Sequence, residues 1–227
     1  MFNGKIYKTQ ALQKLKGNWK INLLVSVILS LCGYISTLPL AEAYVDEANF
    51  RYGLNLDLTT LLSLVPFAIT GIISMASAYY FIGFFKKNQP VSFGTFLEGL
   101  NLWLKGILAN LWVTLWTTLW SFLFLIPGIV KFYSYSQIYF ILAEYPTMSV
   151  RKAMEISKII TRGYKGNLFA QDWSFLGWCF LCCLTGGLGF IFLMPYYMGA
   201  KVHAYSFLKE QALATNTLKE SDFRDTI

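Results

Sequence analysis

Four long stretches of this chain are almost free of charged residues, and no other feature of the sequence constrains its fold as strongly. They span residues 21–40, 58–85, 106–143 and 166–208. A helix of about 20 apolar residues can cross the hydrocarbon core of a bilayer, which is about 30 Å thick. The first two stretches are long enough for one such helix, and the last two are each long enough for two. The pattern therefore predicts six membrane-spanning helices.

The composition excludes an ordinary soluble domain. Hydrophobic residues make up 56% of the 227 residues and charged residues only 14%, whereas about 25% of the residues in soluble domains are charged. One core of this size cannot bury so much apolar surface, so the remainder is expected to face lipid.

Basic residues are distributed unevenly around the apolar stretches. Of the 19 Lys and Arg residues, 16 lie at the N-terminus, after the second and fourth predicted helices, or in the C-terminal tail. Loop 41–57 instead contains four acidic residues and only Arg51 as a basic residue. Because basic loops stay on the cytoplasmic side, we expect a multi-pass protein with both termini in the cytoplasm and loop 41–57 outside the cell.

A Lys-Gly pair occurs three times near the start of an apolar stretch, at residues 16–17, 105–106 and 165–166. A segment with an amphipathic pattern precedes each pair. In segment 149–164, for example, Ile156 and Ile160 fall on one helical face and basic residues on another. Such helices are predicted to lie along the membrane surface, with Ile156 and Ile160 inserted shallowly into lipid. The glycine of each pair would then let the chain turn into the membrane.

These repeats predict a single all-α membrane domain over residues 1–227. Three hairpin repeats, each beginning with a cytoplasmic amphipathic entry helix, would form it. The repeats cover roughly 1–87, 88–145 and 146–209, and a short polar tail follows at 210–227.

Several stretches resemble a bacterial family of membrane proteins called domain of unknown function 975. They are ALQKLKGNWKINLL, FLFLIPGIVKFYSYSQIYFILAEYP and SVRKAMEISKIITRGYKGNLF, of which IPGIVKFYSYS is the most specific part. The resemblance runs nearly end to end and implies a six-helix plasma-membrane protein of a Gram-positive bacterium. The family is similar in pattern to the membrane domain of some glycerophosphodiester phosphodiesterases, but this chain has no room for their catalytic barrel. The resemblance implies no established activity.

Polar residues inside the apolar stretches are the strongest indication of a functional site, because ionisable groups at membrane depth usually face a bundle interior or a cavity. The candidate ligand-binding residues are Lys131, Tyr135, Tyr139, Lys201 and His203. Asp172 is expected to pair with Lys201 or Lys165, since an isolated charge at that depth is costly. Lys131 has no acidic residue at its own predicted depth and is the preferred contact for an anionic ligand. The alternative is that these charges snorkel to the interface or form purely structural pairs.

No catalytic or metal-binding motif accompanies these residues. The sequence contains one histidine and lacks a P-loop, HExxH or GxSxG motif. Cys179, Cys182 and Cys183 are expected to pack as small apolar side chains and not to bind a metal. We therefore expect neither an enzyme nor a cofactor.

Trp112, Trp116 and Trp120 recur every four residues in the third predicted helix. They are expected to face lipid or to pack against another helix, and the alternative is an aromatic wall for an amphipathic ligand. Thr70, Ser74 and Ala78 form a small-residue stripe typical of close helix packing.

The leading functional hypothesis is a non-enzymatic membrane protein that binds or passes an anionic amphiphile, such as a lipid or peptide, or assists a transport partner. The alternative is an assembly factor that binds other membrane proteins and has no ligand of its own. Expected partners are anionic lipids of the inner leaflet and another membrane protein or a second copy of the chain. Nucleic acid is not an expected partner.

Overall fold

The computed structural model describes residues 2–43, 58–87, 92–123 and 125–223. Within these ranges the chain is helical or forms turns, without β-strands, so the all-α prediction is confirmed there. Residues 41–43 continue a helix, and the rest of the predicted external loop, 44–57, lies outside the described residues.

The helices are α1 (Gly4–Leu15), α2 (Trp19–Ala43), α3 (Leu58–Phe85), α4 (Phe93–Leu100), α5 (Trp103–Leu123), α6 (Leu125–Tyr135), α7 (Ile138–Glu144), α8 (Val150–Ile160), α9 (Lys165–Trp173), α10 (Leu176–Leu184) and α11 (Gly189–Ala214). A short 3-10 helix follows at Glu220–Phe223. Among the described residues, Val65–Phe85 within α3 is the only helix that is long and apolar enough to cross a membrane by length and composition. It corresponds to the second of the six predicted spans.

The predicted entry helices are present as α1, α4 and α8. A side chain just before each helix caps its N-terminus: Asn3 accepts from the amide of Lys5, Ser92 from Gly94, and Ser149 from Lys152. Such caps satisfy backbone amides that have no partner inside the helix. They explain why each entry helix begins where it does.

Only one of the three Lys-Gly glycines lies in a turn. Gly17 has a φ of 85° in the turn between α1 and α2, a conformation that favours glycine. Gly106 and Gly166 instead lie inside α5 and α9. In the third repeat the turn is made by Gly163, with a φ of 84°.

The apolar face of α8 packs against the protein itself. Ile156 and Ile160 are 3% and 2% exposed and belong to the main core, where α8 contacts α6, α7 and α11. The prediction that these two residues insert into lipid is therefore wrong. The polar face of α8 remains exposed, including Arg151, Glu155 and Lys158.

A glycine contact holds α3 and α5 close together. A Cβ added to Gly71 would lie 2.6 Å from the carbonyl oxygen of Gly106, and one added to Gly106 would lie 2.6 Å from that of Gly71. The close-packing seam therefore runs through these glycines, one residue from the predicted small-residue stripe. Of that stripe, Thr70 is exposed and Ser74 lines a cavity.

Two of the predicted spans are broken helices. Turns at residues 136–137 separate α6 from α7, and turns at 174–175 separate α9 from α10. α9 and α10 have 9 residues each, which gives each a length of about 14 Å, less than half the thickness of a bilayer core. The fourth and fifth predicted spans are therefore each divided into two shorter helices.

Candidate functional site

A cavity of about 330 Å³ lies where α3, α6, α7 and α11 meet. Its polar lining consists of Ser74, Ser77, Tyr135, Ser136, Tyr139, Tyr197 and Lys201. Its apolar lining consists of Leu29, Ile73, Ala78, Val113, Phe132, Phe140, Met194 and Met198. We call this space the central cavity.

The structure brings three of the five predicted ligand-binding residues together, because Tyr135, Tyr139 and Lys201 all line the central cavity. The other two lie elsewhere. The Lys131 ammonium nitrogen is 4.5 Å from the centroid of the Trp120 ring, and the His203 ring packs edge-on against Phe85. A ligand-binding role for all five residues stays a prediction.

Lys201 forms an ion pair with Asp172 at one end of this cavity. Its Nζ lies 2.8 Å from Oδ1 and 2.9 Å from Oδ2 of the carboxylate. Tyr197 donates to Oδ1 at 3.2 Å and Tyr133 to Oδ2 at 3.1 Å. Of the two partners predicted for Asp172, which were Lys201 and Lys165, the structure therefore selects Lys201.

Local structure explains how this cluster forms. Asp172 lies in the last turn of α9, and Tyr133 lies on α6, which contacts α9. Tyr197 and Lys201 are four residues apart on α11 and so share a helical face. The break after α9 also leaves a free carbonyl at Ser174, which accepts a hydrogen bond from Lys8 Nζ at 3.1 Å.

The pairing does not use all the hydrogen-bonding capacity of Lys201. Lys201 carries three N–H donors, and the two oxygens of Asp172 can use at most two of them. Its side chain is 10% exposed, so the ammonium is largely withdrawn from solvent. A ligand in the central cavity can therefore receive at least one charge-assisted hydrogen bond from Lys201.

A second buried carboxylate, Glu144, is held by two lysines. Lys86 Nζ lies 2.6 Å from Oε2 and Lys209 Nζ 2.8 Å from Oε1. Tyr205 donates to Oε2 at 2.7 Å, and Lys209 also donates to the Tyr145 hydroxyl. The Glu144 side chain is 11% exposed. We call this group the Glu144 cluster.

Electrostatics in the Glu144 cluster favour the ionised carboxylate. Burial alone would raise the pKa of Glu144, but hydrogen bonds from Lys209 and Lys86 outweigh it and bring the pKa below its ordinary value. Burial alone would likewise lower the pKa of Lys209, but its bonds to Glu144 and Tyr145 raise it. For Lys86 burial prevails and the pKa is lowered.

Sequence reasoning missed the Glu144 cluster, although two signals were available. Lys86, Glu144 and Lys209 are each the first residue after an uncharged or nearly uncharged stretch, which gives them similar predicted depths. In addition, α11 alternates tyrosine and lysine every four residues. This series is Tyr197, Lys201, Tyr205 and Lys209.

One family model matches a part of the chain that contains the Asp172 contacts, most of the central cavity and, except for Lys86, the Glu144 cluster. Residues 125–212 match the family model described as "Protein of unknown function (DUF975)". No curated protein and no solved structure matches the chain. Over these C-terminal residues, the match supports the resemblance to the DUF975 family that the IPGIVKFYSYS stretch indicates.

Proposed function

We propose that the chain is an integral membrane protein of a bacterial plasma membrane, folded as three helical hairpins with both termini in the cytoplasm. The supporting observation is its exposed apolar surface. Phe122 at the end of α5 is 84% exposed, and Ile126 at the start of α6 is 75% exposed. Other exposed apolar residues include Leu111, Leu115, Leu119, Trp178, Phe180, Leu181 and Leu184. Contiguous apolar surfaces of this kind mark interfaces with lipid or protein.

Cysteine labelling tests this topology. We expect Asn49→Cys, in a cysteine-free background, to react with a membrane-impermeant maleimide on intact cells, because loop 41–57 should face outside. Lys158→Cys should react only after the cells are permeabilised. Its reaction in permeabilised cells also shows that residue 158 is accessible to the reagent. Labelling of residue 158 on intact cells, with residue 49 protected, contradicts the proposed topology.

The function that the geometry supports best is the binding of an anionic amphiphile in the central cavity. One observation carries this proposal: Lys201 lines a cavity whose other lining residues carry apolar side chains and hydroxyls. The volume of about 330 Å³ falls at the lower end of the range of small-molecule sites, about 300–1,000 Å³.

The two parts of the lining match the two parts of an amphiphile. An anionic head group would accept a hydrogen bond from Lys201, next to the hydroxyl groups of Tyr135 and Ser136. Met194 and Met198, one turn apart on α11, would contact the apolar part, together with other apolar lining residues. Methionine suits such a wall because its flexible side chain adapts to different shapes.

An assembly function is the second candidate, and a separate surface favours it. An apolar groove on α5 is lined by Phe67, Leu111, Thr114, Leu115, Thr118, Leu119 and Phe122. Its side chains could pack against the helix of another membrane protein. We would favour this function over ligand binding if another protein copurifies in a stoichiometric amount and if Leu115→Lys abolishes the copurification.

A cavity-filling variant tests ligand binding. With decyl phosphate as the probe, we expect the melting temperature of the purified protein to rise by about 5–10 °C at a concentration about 100 times the Kd. Decanol, which lacks the charge, should have a smaller effect. Ser74→Phe should abolish the rise, since it places a phenyl ring in the central cavity. Thr70→Phe is the matched control, because Thr70 lies one turn away on the exposed face of α3. If decyl phosphate raises the melting temperature of Ser74→Phe as much as that of the wild-type protein, the central cavity is excluded as the binding site.

A further inference from the structure

A second cavity, distinct from the central cavity, lies between α5 and α8. It has a volume of about 340 Å³ and is lined by Trp112, Trp116, Arg151, Met154, Glu155 and Lys158. None of these residues lines the central cavity. We call it the α5–α8 groove.

The two sides of the α5–α8 groove differ in chemistry. On α5, Trp112 and Trp116 are one helical turn apart, and Trp112 is 38% exposed. Leu111 and Leu115 next to them are 49% and 52% exposed, so the indole rings adjoin the exposed apolar surface of α5. On α8, the charged face bounds the groove. This face points away from the side of α8 that carries the buried Ile156 and Ile160. The groove thus lies at a boundary between apolar and charged surface.

The charge of the α5–α8 groove is positive. Its lining contains two cations and one acidic residue, Glu155, which pairs with Arg151 at 3.7 Å. That pair is weak because the side chains are 89% and 60% exposed. Lys158 lies over the Tyr135 ring, with its nitrogen 5.4 Å from the centroid. Both cations therefore remain available to an anion that approaches from the groove.

The positive charge continues along the line of tryptophans. Lys131 lies over Trp120, one turn beyond Trp116 on α5. Burial lowers the pKa of Lys165, and the nearby positive charge of Lys131 lowers it further. Beyond the groove, this edge therefore carries Lys131 over an indole ring and Lys165 nearby at the start of α9.

We propose that the α5–α8 groove binds the head group of an anionic phospholipid. The phosphate contacts Arg151 and Lys158, because guanidinium and ammonium groups form charge-assisted hydrogen bonds with phosphate. The glycerol region lies against Trp112 and Trp116, since indole rings prefer the level of the head groups. The acyl chains continue over the exposed leucines of α5. The inference rests on the proposed membrane location but not on a ligand in the central cavity.

Quenching of tryptophan fluorescence by brominated lipids tests the inference. The protein is reconstituted in nanodiscs of phosphatidylcholine that contain a minor fraction of brominated phosphatidylglycerol or brominated phosphatidylcholine. We expect the phosphatidylglycerol to quench more strongly at equal mole fraction. Trp112→Phe combined with Trp116→Phe should remove most of this difference, because these rings line the groove.

Charge variants then assign the selectivity to the groove. Arg151→Gln combined with Lys158→Gln should reduce the preference for phosphatidylglycerol by about fivefold for each cation removed. Lys5→Gln combined with Lys16→Gln is the matched control, because it removes the same charge from exposed positions of the α1 region. The control should retain most of the preference.

Two results overturn the inference. One is equal quenching of the wild-type protein by the two brominated lipids, which needs no variant to fold. The other is a groove variant that loses no more of the preference than the α1 control. Cell fractionation tests the proposed membrane location separately. If the protein is found in the membrane fraction, only the lipid-binding inference fails. If the protein is absent from that fraction, the proposed membrane location is itself contradicted.

Discussion

Replacing Glu144 by glutamine is expected to lower the free energy of unfolding by about 3–5 kcal/mol. The carboxylate accepts hydrogen bonds from Lys86, Lys209 and Tyr205, and its side chain is 11% exposed. Without its charge, two largely buried ammonium groups lose their counter-ion, and the remaining amide cannot compensate them. Denaturant unfolding of the purified protein in a neutral detergent, followed by circular dichroism, measures the loss.

A matched control is available on α8. Glu155 pairs with Arg151 on the exposed surface, so Glu155→Gln should change the free energy of unfolding by less than about 0.5 kcal/mol. Adding Lys209→Met to Glu144→Gln should restore part of the loss, because it removes one of the stranded charges. Similar stability of Glu144→Gln and Glu155→Gln would show that the Glu144 cluster does not hold the helices together.

The pair between Asp172 and Lys201 is expected to show strong coupling in a double-mutant cycle. Asp172→Asn and Lys201→Met should each cost about 3–5 kcal/mol, because each leaves an opposite charge with little solvent. The double variant should cost clearly less than the sum of the two, because no uncompensated charge remains. Thermal unfolding in detergent, at constant detergent concentration, gives the three values.

Glu210→Gln is the control for this cycle, since Glu210 is exposed on the same helix as Lys201. Its combination with Lys201→Met should be additive. Additivity between Asp172→Asn and Lys201→Met as well would mean that the contact contributes nothing to stability, and the pair would then lose its assigned structural role.

The predicted depth of the side chains in the membrane correctly indicated the ion pair between Asp172 and Lys201. Asp172 follows the third Lys-Gly pair by a few residues, and Lys201 precedes the end of the last apolar stretch by about two turns. In an antiparallel helix pair these positions have similar depth, and the structure places the two side chains in contact. The same reasoning would have found Lys86, Glu144 and Lys209, had the ends of the apolar stretches been compared with one another.

The sequence pattern could not predict the two helix breaks, which lie between α6 and α7 and between α9 and α10. Neither break contains proline or glycine, which are the usual signals for the end of a helix. Pro66 and Pro195, which carry that signal, lie inside α3 and α11. Next to the break between α6 and α7, the Ser134 carbonyl accepts a hydrogen bond from Ser157 on α8 at 2.7 Å. Such a partner becomes visible only when the fold is known.

Residue periodicity also has a limit in predicting what a helical face contacts. The pattern of α8 correctly indicated an amphipathic helix, but an apolar face suits a protein core and a lipid surface equally well. The burial of Ile156 and Ile160 under neighbouring helices decides between them. On the proposed membrane location, the part of this region that faces lipid is the edge of α5, where Trp112 is 38% exposed.

The tyrosine and lysine series on α11 has a consequence for biosynthesis. Lys201 follows Asp172 by 29 residues, and Lys209 follows Glu144 by 65. On the proposed membrane location, each carboxylate is synthesised before the counter-ion on α11, and burial of an unpaired carboxylate is unfavourable. Asp172 must therefore remain near water until α11 is in place, whereas Glu144 already has Lys86 as a counter-ion. The last helix thus completes the fold, and a nascent chain released before residue 201 would be a natural substrate for membrane quality-control proteases.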